Sequence, residues 1–571
     1  REDIYENAAF NANLENIITN TIEMAQPEAN RTWAPVWIRI KELVFEASIN
    51  ETRRKNRERN AELADKKARR NGLKEHIDKG TATPQQTQEY IELTEEINTA
   101  ATRTPLSEKL EEVAYTMGKQ HDTGSAAFHR RYSSKGAHTW VDSIRQTDWS
   151  DLSNPIFSGR VLTDPKSVCA EIKEYWAKLY ARKPTEPQAS EKCLSYLRDG
   201  NRVLPPTAAE CGAPVGRKQV REVCNHLPTG KSAGPDRIPN KFYKVFSKTL
   251  SPILRSVYNE CHQKGAFPPG FADGIVTTMY KKNDRTDPRN SRPITLLNGD
   301  YKILMRILAT RMSEAVRQFA SPEQNGFTPD SFLPENVMLM KLIQAYVEHE
   351  DEKAYFLLLD MEKAFDRCSW DFLMAAIPEI GFDSNFTRYI GLMYSQDNPP
   401  NRKMYINGHL SGSFPLGAGV AQGCPLSPLL FLLITEPLSR MFSTNAVMQG
   451  VTIDSIRHII SQYADDTVLI LKPRDEEIAL DLLHIWEQGT AMMENRTKRE
   501  GLLLGALRGN PQNAPSNLVE SWTPDGKPIR ALGVPIGNEI NEYEWWLGKY
   551  REVKARVSRW PSLRRLSVTG R

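Results

Sequence analysis

The run Ile459-Ile460-Ser461-Gln462-Tyr463-Ala464-Asp465-Asp466-Thr467-Val468-Leu469-Ile470-Leu471 decides how this chain is read. Short apolar segments on either side of a polar tip predict two strands of a hairpin. An Asp pair in a turn is ordinary by itself, because Asp hydrogen-bonds its own backbone there. It gains weight from a second stretch upstream, Tyr355-Phe356-Leu357-Leu358-Leu359-Asp360, a near-continuous apolar run of the kind a buried strand shows, ending on an acid. If the two stretches are neighbours in one sheet, Asp360, Asp465 and Asp466 meet at one edge. Burying three carboxylates together is costly without cations. Oxygen-only ligands suit two Mg²⁺ ions, with Mn²⁺ a possible substitute, and a carboxylate-held metal pair clamps the attacking and leaving oxygens of an in-line phosphoryl displacement.

Working outward, 571 residues predict three to five structural units. The 40% apolar and 26% charged fractions are those of a globular protein rather than a disordered one. A net charge of +4 leaves any affinity for polyanions to local clusters. One cluster lies between Arg53 and Lys74, where Lys and Arg outnumber Glu58, Glu62 and Asp65 to give a local +7, with Arg53, Arg54, Lys55, Arg57 and Arg59 at its head. Such a run is either a solvated face or a contact for nucleic acid, RNA included, because phosphate neutralisation rewards clustered Lys and Arg. A second, from Lys549 to Arg571, is also +7. Seven cysteines, an odd number without a C-x-x-C pair, argue against a disulfide framework or zinc knuckle and fit a reducing compartment. The longest apolar runs fall short of a membrane span, so no membrane partner is expected. The chain starts on Arg1, without a leader pattern, and reads as cut from a longer polypeptide.

Residues 1–206 predict a largely helical, basic N-terminal extension, with a core stripe at Trp33, Trp37, Ile40 and Leu43 and a Pro-rich linker from Arg182 to Pro206. From 207 to 535 short β-type runs alternate with helical patterns, an α+β signature. Strands are expected at 275–280 and 354–359, and helices at 301–312 and around Ile478, Leu482, Ile485 and Trp486. Gln422 and Gly423 open a loop before a helix expected to start with Ser427 as N-cap and Pro428 at the first helical position.

Seven ordered blocks carry a family resemblance: Gly230-Lys231-Ser232-Ala233-Gly234-Pro235-Asp236, Ser291-Arg292-Pro293-Ile294-Thr295-Leu296-Leu297, Gln324-Asn325-Gly326-Phe327, the Asp360 segment, Gly419 to Pro428, the YADD at 463–466 with Asn495 and Lys498, and Leu532-Gly533-Val534-Pro535-Ile536-Gly537. Together they resemble the reverse transcriptase domain of non-LTR (LINE-class) retrotransposons, in the protein of the second open reading frame. The resemblance implies a right-hand polymerase, with fingers and palm at 207–535 and an incomplete thumb begun at 536–571. It implies Asp360, Asp465 and Asp466 as catalytic metal ligands and Phe365 as a steric gate that excludes a 2′-hydroxyl by clash. Lys281, Lys282 and Arg292 would grip the triphosphate, Gln422 and Gly423 would support nucleotide and template, and Lys498 would assist pyrophosphate departure.

The implied activity is RNA-directed DNA synthesis from a DNA primer, target-primed, with dNTPs and an RNA template as substrates. The implied setting is intracellular, in nucleus and cytoplasm as a ribonucleoprotein. An endonuclease upstream, and the rest of the thumb and a C-terminal segment downstream, would belong to the full protein; Leu566 to Arg571 looks like the start of the next block. Two departures stand out: Ala421, where the family often has Arg, and Asn283, where it commonly has Gly. A group II intron maturase shares the palm logic, and an inactive RNA-binding scaffold could keep the fold, although Trp370 and the Arg292 block favour the retrotransposon.

Overall fold

Strands that are apolar on both sides need cover on both sides, and the Asp360 strand receives it. In the computed structural model, which describes residues 2–25, 32–102, 140–152, 154–508, 515 and 517–558, Lys353–Leu359 is an inner strand of a four-stranded antiparallel sheet. The spatial order is Ile460–Tyr463, Asp466–Leu471, Lys353–Leu359, Glu500–Gly505. Phe356, Ile470, Leu502 and Leu504 pack with Val337, Met340, Ile343 and Val347 of the helix Leu333–His349. Tyr355, Leu357, Leu359, Leu469 and Leu503 point into the main core, which also holds the apolar helix Ser427–Ser443 and Leu482, Leu483 and Trp486 of the helix Glu476–Thr490. Alternation is lost because both faces are buried. The expected strand gains one residue, and the expected amphipathic helix is found over Glu476–Thr490.

The register supplies the geometry on which the reading depends. Thr467 lies opposite Leu359 and Leu471 opposite Tyr355, while Tyr463 closes the hairpin against Asp466. The residues that follow and precede these pairs, Asp360 and Asp465-Asp466, therefore emerge at the same edge.

A second sheet stands beside this edge. Gly274–Tyr280 pairs antiparallel with Ser291–Leu297 and parallel with Asn401–Ile406, which is flanked by two short strands. The helix expected over 301–312 runs through Gly299–Phe319. The seven cysteines are all free and buried. Among the described residues no helix is long and apolar enough to cross a membrane.

The N-terminal region differs from its expectation in three respects. It contains a β-hairpin, Ile144–Asp148 with Ile156–Leu162, among its helices. The stretch from Arg182 to Pro206 is not a simple linker: Pro187–Asp199 is a helix with Cys193, Leu194 and Leu197 buried, and Pro205 starts another. Proline in the first turn of a helix marks its start, since that N–H needs no partner, and Pro187 and Pro205, two of the prolines read as linker signals, are such starts. The core stripe of Trp33–Asp78 is Trp37, Ile40 and Val44, with Leu43 only half-buried. Trp37 Nε1 donates to Asp300 at 2.8 Å, and Lys41 bridges Asp300 and Asp236 at 2.9 and 3.5 Å. The first turns of this helix thus dock on the body. The block at 566–571 and the end of the basic tail lie outside the described residues.

Candidate active site

The tip of the hairpin is a tight turn in which Ala464 takes a φ of +58°, a conformation disfavoured for a residue with a Cβ. Gln324 holds it there. Its Oε1 accepts from the Ala464 N–H at 2.8 Å and its Nε2 donates to the Ala464 carbonyl at 3.2 Å. Gly326 lies so close that a Cβ there would stand 1.9 Å from the Ala464 nitrogen. Asn325 and Gln462 add backbone bonds between the two segments. Over-determination of this kind is what keeps a strained residue in place. In the sequence Gln324 stands out only as part of a motif block, and its role in supporting the Asp pair emerges from the fold.

Asp360 and Asp465 line a cleft of about 1300 Å³, and Asp466 lies exposed beside them. Desolvation by the surrounding protein raises the pKa of Asp465 and pushes Asp466, although solvent reaches its side chain, up to about 6, with the neighbouring carboxylates of the trio adding to both shifts. The Lys498 ammonium rests on Asp360 at 2.7 Å, and the Asn495 N–H donates to the Asp360 carbonyl at 2.7 Å, hooking this segment to the end of the acidic strand. Among the described residues no three carboxylate, imidazole or thiolate groups converge tightly enough as they stand to hold a metal ion. Lys498 supplies the neutralising charge in this conformation. The donor set still suits a hard divalent cation, being all oxygen and carried at one edge of adjacent strands.

The opposite wall is the turn between the strands Gly274–Tyr280 and Ser291–Leu297. Lys281, Lys282 and Arg292 all line the cleft. Burial, followed by the charge of Arg292, lowers the Lys281 pKa, while Asp360 opposes the shift. Asn283 has a φ of +71°, so the place the family commonly gives to Gly is filled by a residue type that tolerates the left-handed region.

Phe365 is half-buried in the cleft wall, stacked on Phe431 at 4.8 Å and edge-on to Phe327 at 6.0 Å. Gln422 lines the cleft and Gly423 does not. Thr295 N–H donates to the Gln422 carbonyl at 2.9 Å, and a Cβ on Gly423 would lie 2.6 Å from the Thr295 carbonyl oxygen, so this loop lies tight against the second sheet. Gln422 Nε2 donates to Asp366, whose other oxygen accepts from the Tyr180 hydroxyl at 2.8 Å. Burial pushes Asp366 up to about 6. The following helix is Ser427–Ser443, one residue earlier than expected: Leu426 is its cap, and Ser427 is its first helical residue. Proline tolerates more than one position in a first turn, so Pro428 alone does not settle the start.

Arg53, Arg54, Lys55, Arg57 and Arg59 lie on the helix Trp33–Asp78, away from the residues that line the cleft. Part of the charge is already paired. Arg54 contacts Glu51 and Glu58, Lys55 donates to the Asp3 carbonyl, and farther along Lys66 and Arg69 meet Glu96 and Glu89 of the helix Pro84–Thr102.

Residues 280–506 match the family described as reverse transcriptase (RNA-dependent DNA polymerase). The "Transposon TX1 uncharacterized 149 kDa protein" of Xenopus laevis is 28% identical over 457 residues, covering 79% of this chain and 33% of that protein. The "Probable RNA-directed DNA polymerase from transposon BS" of Drosophila melanogaster is 27% identical, over 45% of this chain and 28% of its own length. The "Retrovirus-related Pol polyprotein from type-1 retrotransposable element R2" of Popillia japonica is 31% identical over 36% of this chain and 28% of its own. The chain spans a third or less of the length of these relatives.

Proposed function

We propose that this chain, whose residues 280–506 form a reverse transcriptase domain homologous to those of non-LTR retrotransposon proteins, is an RNA-directed DNA polymerase that copies retrotransposon RNA from a nicked DNA primer. The observation that carries the reading is the pairing of Thr467 with Leu359, which brings Asp360 to the Asp465-Asp466 turn in a cleft walled by Lys281, Lys282 and Arg292. We read the four-stranded sheet as the palm, the Gly274–Leu297 hairpin as part of the fingers and residues 536–571 as the start of a thumb.

Reverse transcriptase domains are generally magnesium-dependent, and Asp360, Asp465 and Asp466 are the groups that would hold Mg²⁺, with Mn²⁺ a substitute. Bound there, the ions would acidify the primer 3′-hydroxyl and neutralise charge on the reacting phosphate. The chain's own residues do the rest. Lys281, Lys282 and Arg292 face the acidic edge and would balance the triphosphate, whose leaving pyrophosphate gains charge as the bond breaks. Lys498, already on Asp360, stands where it could follow that charge. Phe365, braced by Phe431, would close the space a 2′-hydroxyl needs. Gln422, its amide held by Asp366, would support nucleotide and template, with Gly423 allowing the close backbone approach behind it.

Residues 1–206 we read as an RNA-holding extension working through Arg53, Arg54, Lys55, Arg57 and Arg59. An endonuclease upstream, and the rest of the thumb and a C-terminal segment downstream, would complete the protein, acting inside the cell, in nucleus and cytoplasm, as a ribonucleoprotein.

The test is primer extension on an RNA template with dNTPs and Mg²⁺. Extension by the wild-type chain and none by the Asp465→Ala/Asp466→Ala variant supports the reading. Equal extension by both overturns the assignment of these carboxylates.

A further inference from the structure

Three residues after Asp360 and two before Phe365, Lys363 adopts a φ of +49°, an uncommon conformation for a residue with a side chain. Its ammonium crosses from the acidic loop to the opposite wall of the cleft. There it donates to the carbonyls of Arg289 at 2.6 Å and Ser291 at 2.7 Å, and it stands 4.9 Å from the centre of the Trp176 ring. These two carbonyls flank Asn290, whose own carbonyl accepts from the Lys281 N–H at 2.9 Å, and Ser291 precedes Arg292. On its other side the Lys363 carbonyl accepts from the Asp366 N–H at 2.8 Å and starts the short helix Ala364–Arg367, which carries Phe365. One residue is thus bonded to the base of the cationic turn and to the helix of the gate, and it follows the strand end that carries Asp360.

We propose that Lys363 is a positioning residue that sets the distance between the triphosphate-gripping turn and the acidic edge, and so tunes nucleotide affinity; this rests on the polymerase reading above. The chemistry fits the role. An ammonium has three donors in a compact head, so it can serve two carbonyls from different directions and face an aromatic ring with what remains. The bonds run to backbone rather than to another side chain, so they register the turn itself. A lysine retained only to fill the core would leave nucleotide affinity unchanged when replaced.

The experiment uses the full chain carrying Lys363→Met, which keeps the length and removes the donors. On an RNA template with Mg²⁺, the dNTP KM is expected to rise about tenfold, with the rate at saturating dNTP held within about threefold. Affinity for the RNA template should not change. Lys363→Gln, which keeps a donor for one carbonyl, is expected to show a smaller rise in the same direction, and it stands in should the methionine variant not fold. A fall in thermal stability with unchanged dNTP KM in a folded variant overturns the proposal. Amide hydrogen exchange over residues 281–292 separates the two layers. Faster exchange in the variant supports the clamp even if the wild-type chain does not extend a primer, an outcome that counts against the polymerase reading, whereas unaltered exchange removes the clamp.

Discussion

The cleft and the interior of the main core both contain buried or half-buried charge, and they treat it in opposite ways. Glu436 and Arg440, on the helix Ser427–Ser443, are almost fully enclosed and fully partnered. Arg440 meets Glu436 at 2.8 Å and donates to the carbonyls of Tyr196, Leu197, Asn201 and Phe319, while Ser321 donates to Glu436 from its N–H and its hydroxyl. This cluster ties three segments together and leaves nothing over. At the acidic edge three carboxylates lie within electrostatic reach of one another with Lys498 as the ion-paired cation, and desolvation with mutual repulsion drives Asp465 and Asp466 toward their neutral forms. A charge cluster with satisfied bonds serves the fold; one whose carboxyl groups are held in raised-pKa, mutually repelling positions at a cleft is a candidate functional site.

The largest expected effect breaks the open cluster chemically. Asp466→Asn should lower primer extension by about a thousandfold, as expected for removal of a preorganised charge at a reacting phosphate. The same variant should melt no lower than wild type, because it relieves repulsion; a large loss of thermal stability would show that the turn depends on its carboxylate for structure.

The closed cluster should respond the other way. Arg440→Met leaves Glu436 and four carbonyls without their donor, and unfolding by denaturant should show a loss of about 3–5 kcal/mol, as for breaking a buried ion pair from one side. A loss below about 1 kcal/mol would mean that the site relaxes or admits water.

Phe365→Ala should raise ribonucleotide incorporation by about ten- to a hundredfold while leaving dNTP incorporation within severalfold. Unaltered sugar selectivity would move the gate elsewhere in the cleft wall.

Smaller still is the pH signature of the open cluster. With the Asp466 carboxyl pushed up to about 6, the native chain holds a proton that the unfolded chain has released above its ordinary value of 3.8. Between those values the folded state binds more protons, so without divalent cations stability should fall as pH rises through the window. Asp466→Asn should flatten this slope, and added Mg²⁺ should do the same in the wild-type chain by favouring the charged forms. A slope of opposite sign would contradict the raised carboxyl pKa.

The smallest effect concerns the N-terminal helix. Replacing Arg53, Arg54 and Lys55 by Gln should flatten the salt dependence of RNA binding by less than three phosphate contacts' worth, since Arg54 is already held by Glu51 and Glu58. An unchanged slope would return the helix to an ordinary solvated surface.

Much of this was legible before any coordinates. The YADD hairpin, the apolar strand ending at Asp360 and the helix at Glu476–Thr490 follow from local pattern, because a run buried on two faces and a stripe at helical spacing both leave a periodic trace. The hairpin at Ile144–Asp148 and Ile156–Leu162 left a weak one, since its second strand is exposed along most of its length and carries no core alternation. The prolines between Arg182 and Pro206 misled for a similar reason: proline marks helix starts as well as loops, and the buried face of Pro187–Asp199 identifies itself only through what packs on it. Gln324 stood in plain view as a motif residue, but nothing local announces that its amide closes on Ala464 far along the chain.

By itself the sequence determined which strands carry the acids, because adjacency and period are properties of neighbouring residues, and its resemblance to a known family pointed to the cations and aromatic ring to look for. Only the tertiary structure decided the arrangement: that Thr467 pairs with Leu359, that Gln324 holds the hairpin tip, and that Lys363 spans the cleft. Those contacts join residues distant in the chain, where shape and unsatisfied backbone groups, rather than local pattern, select the partner.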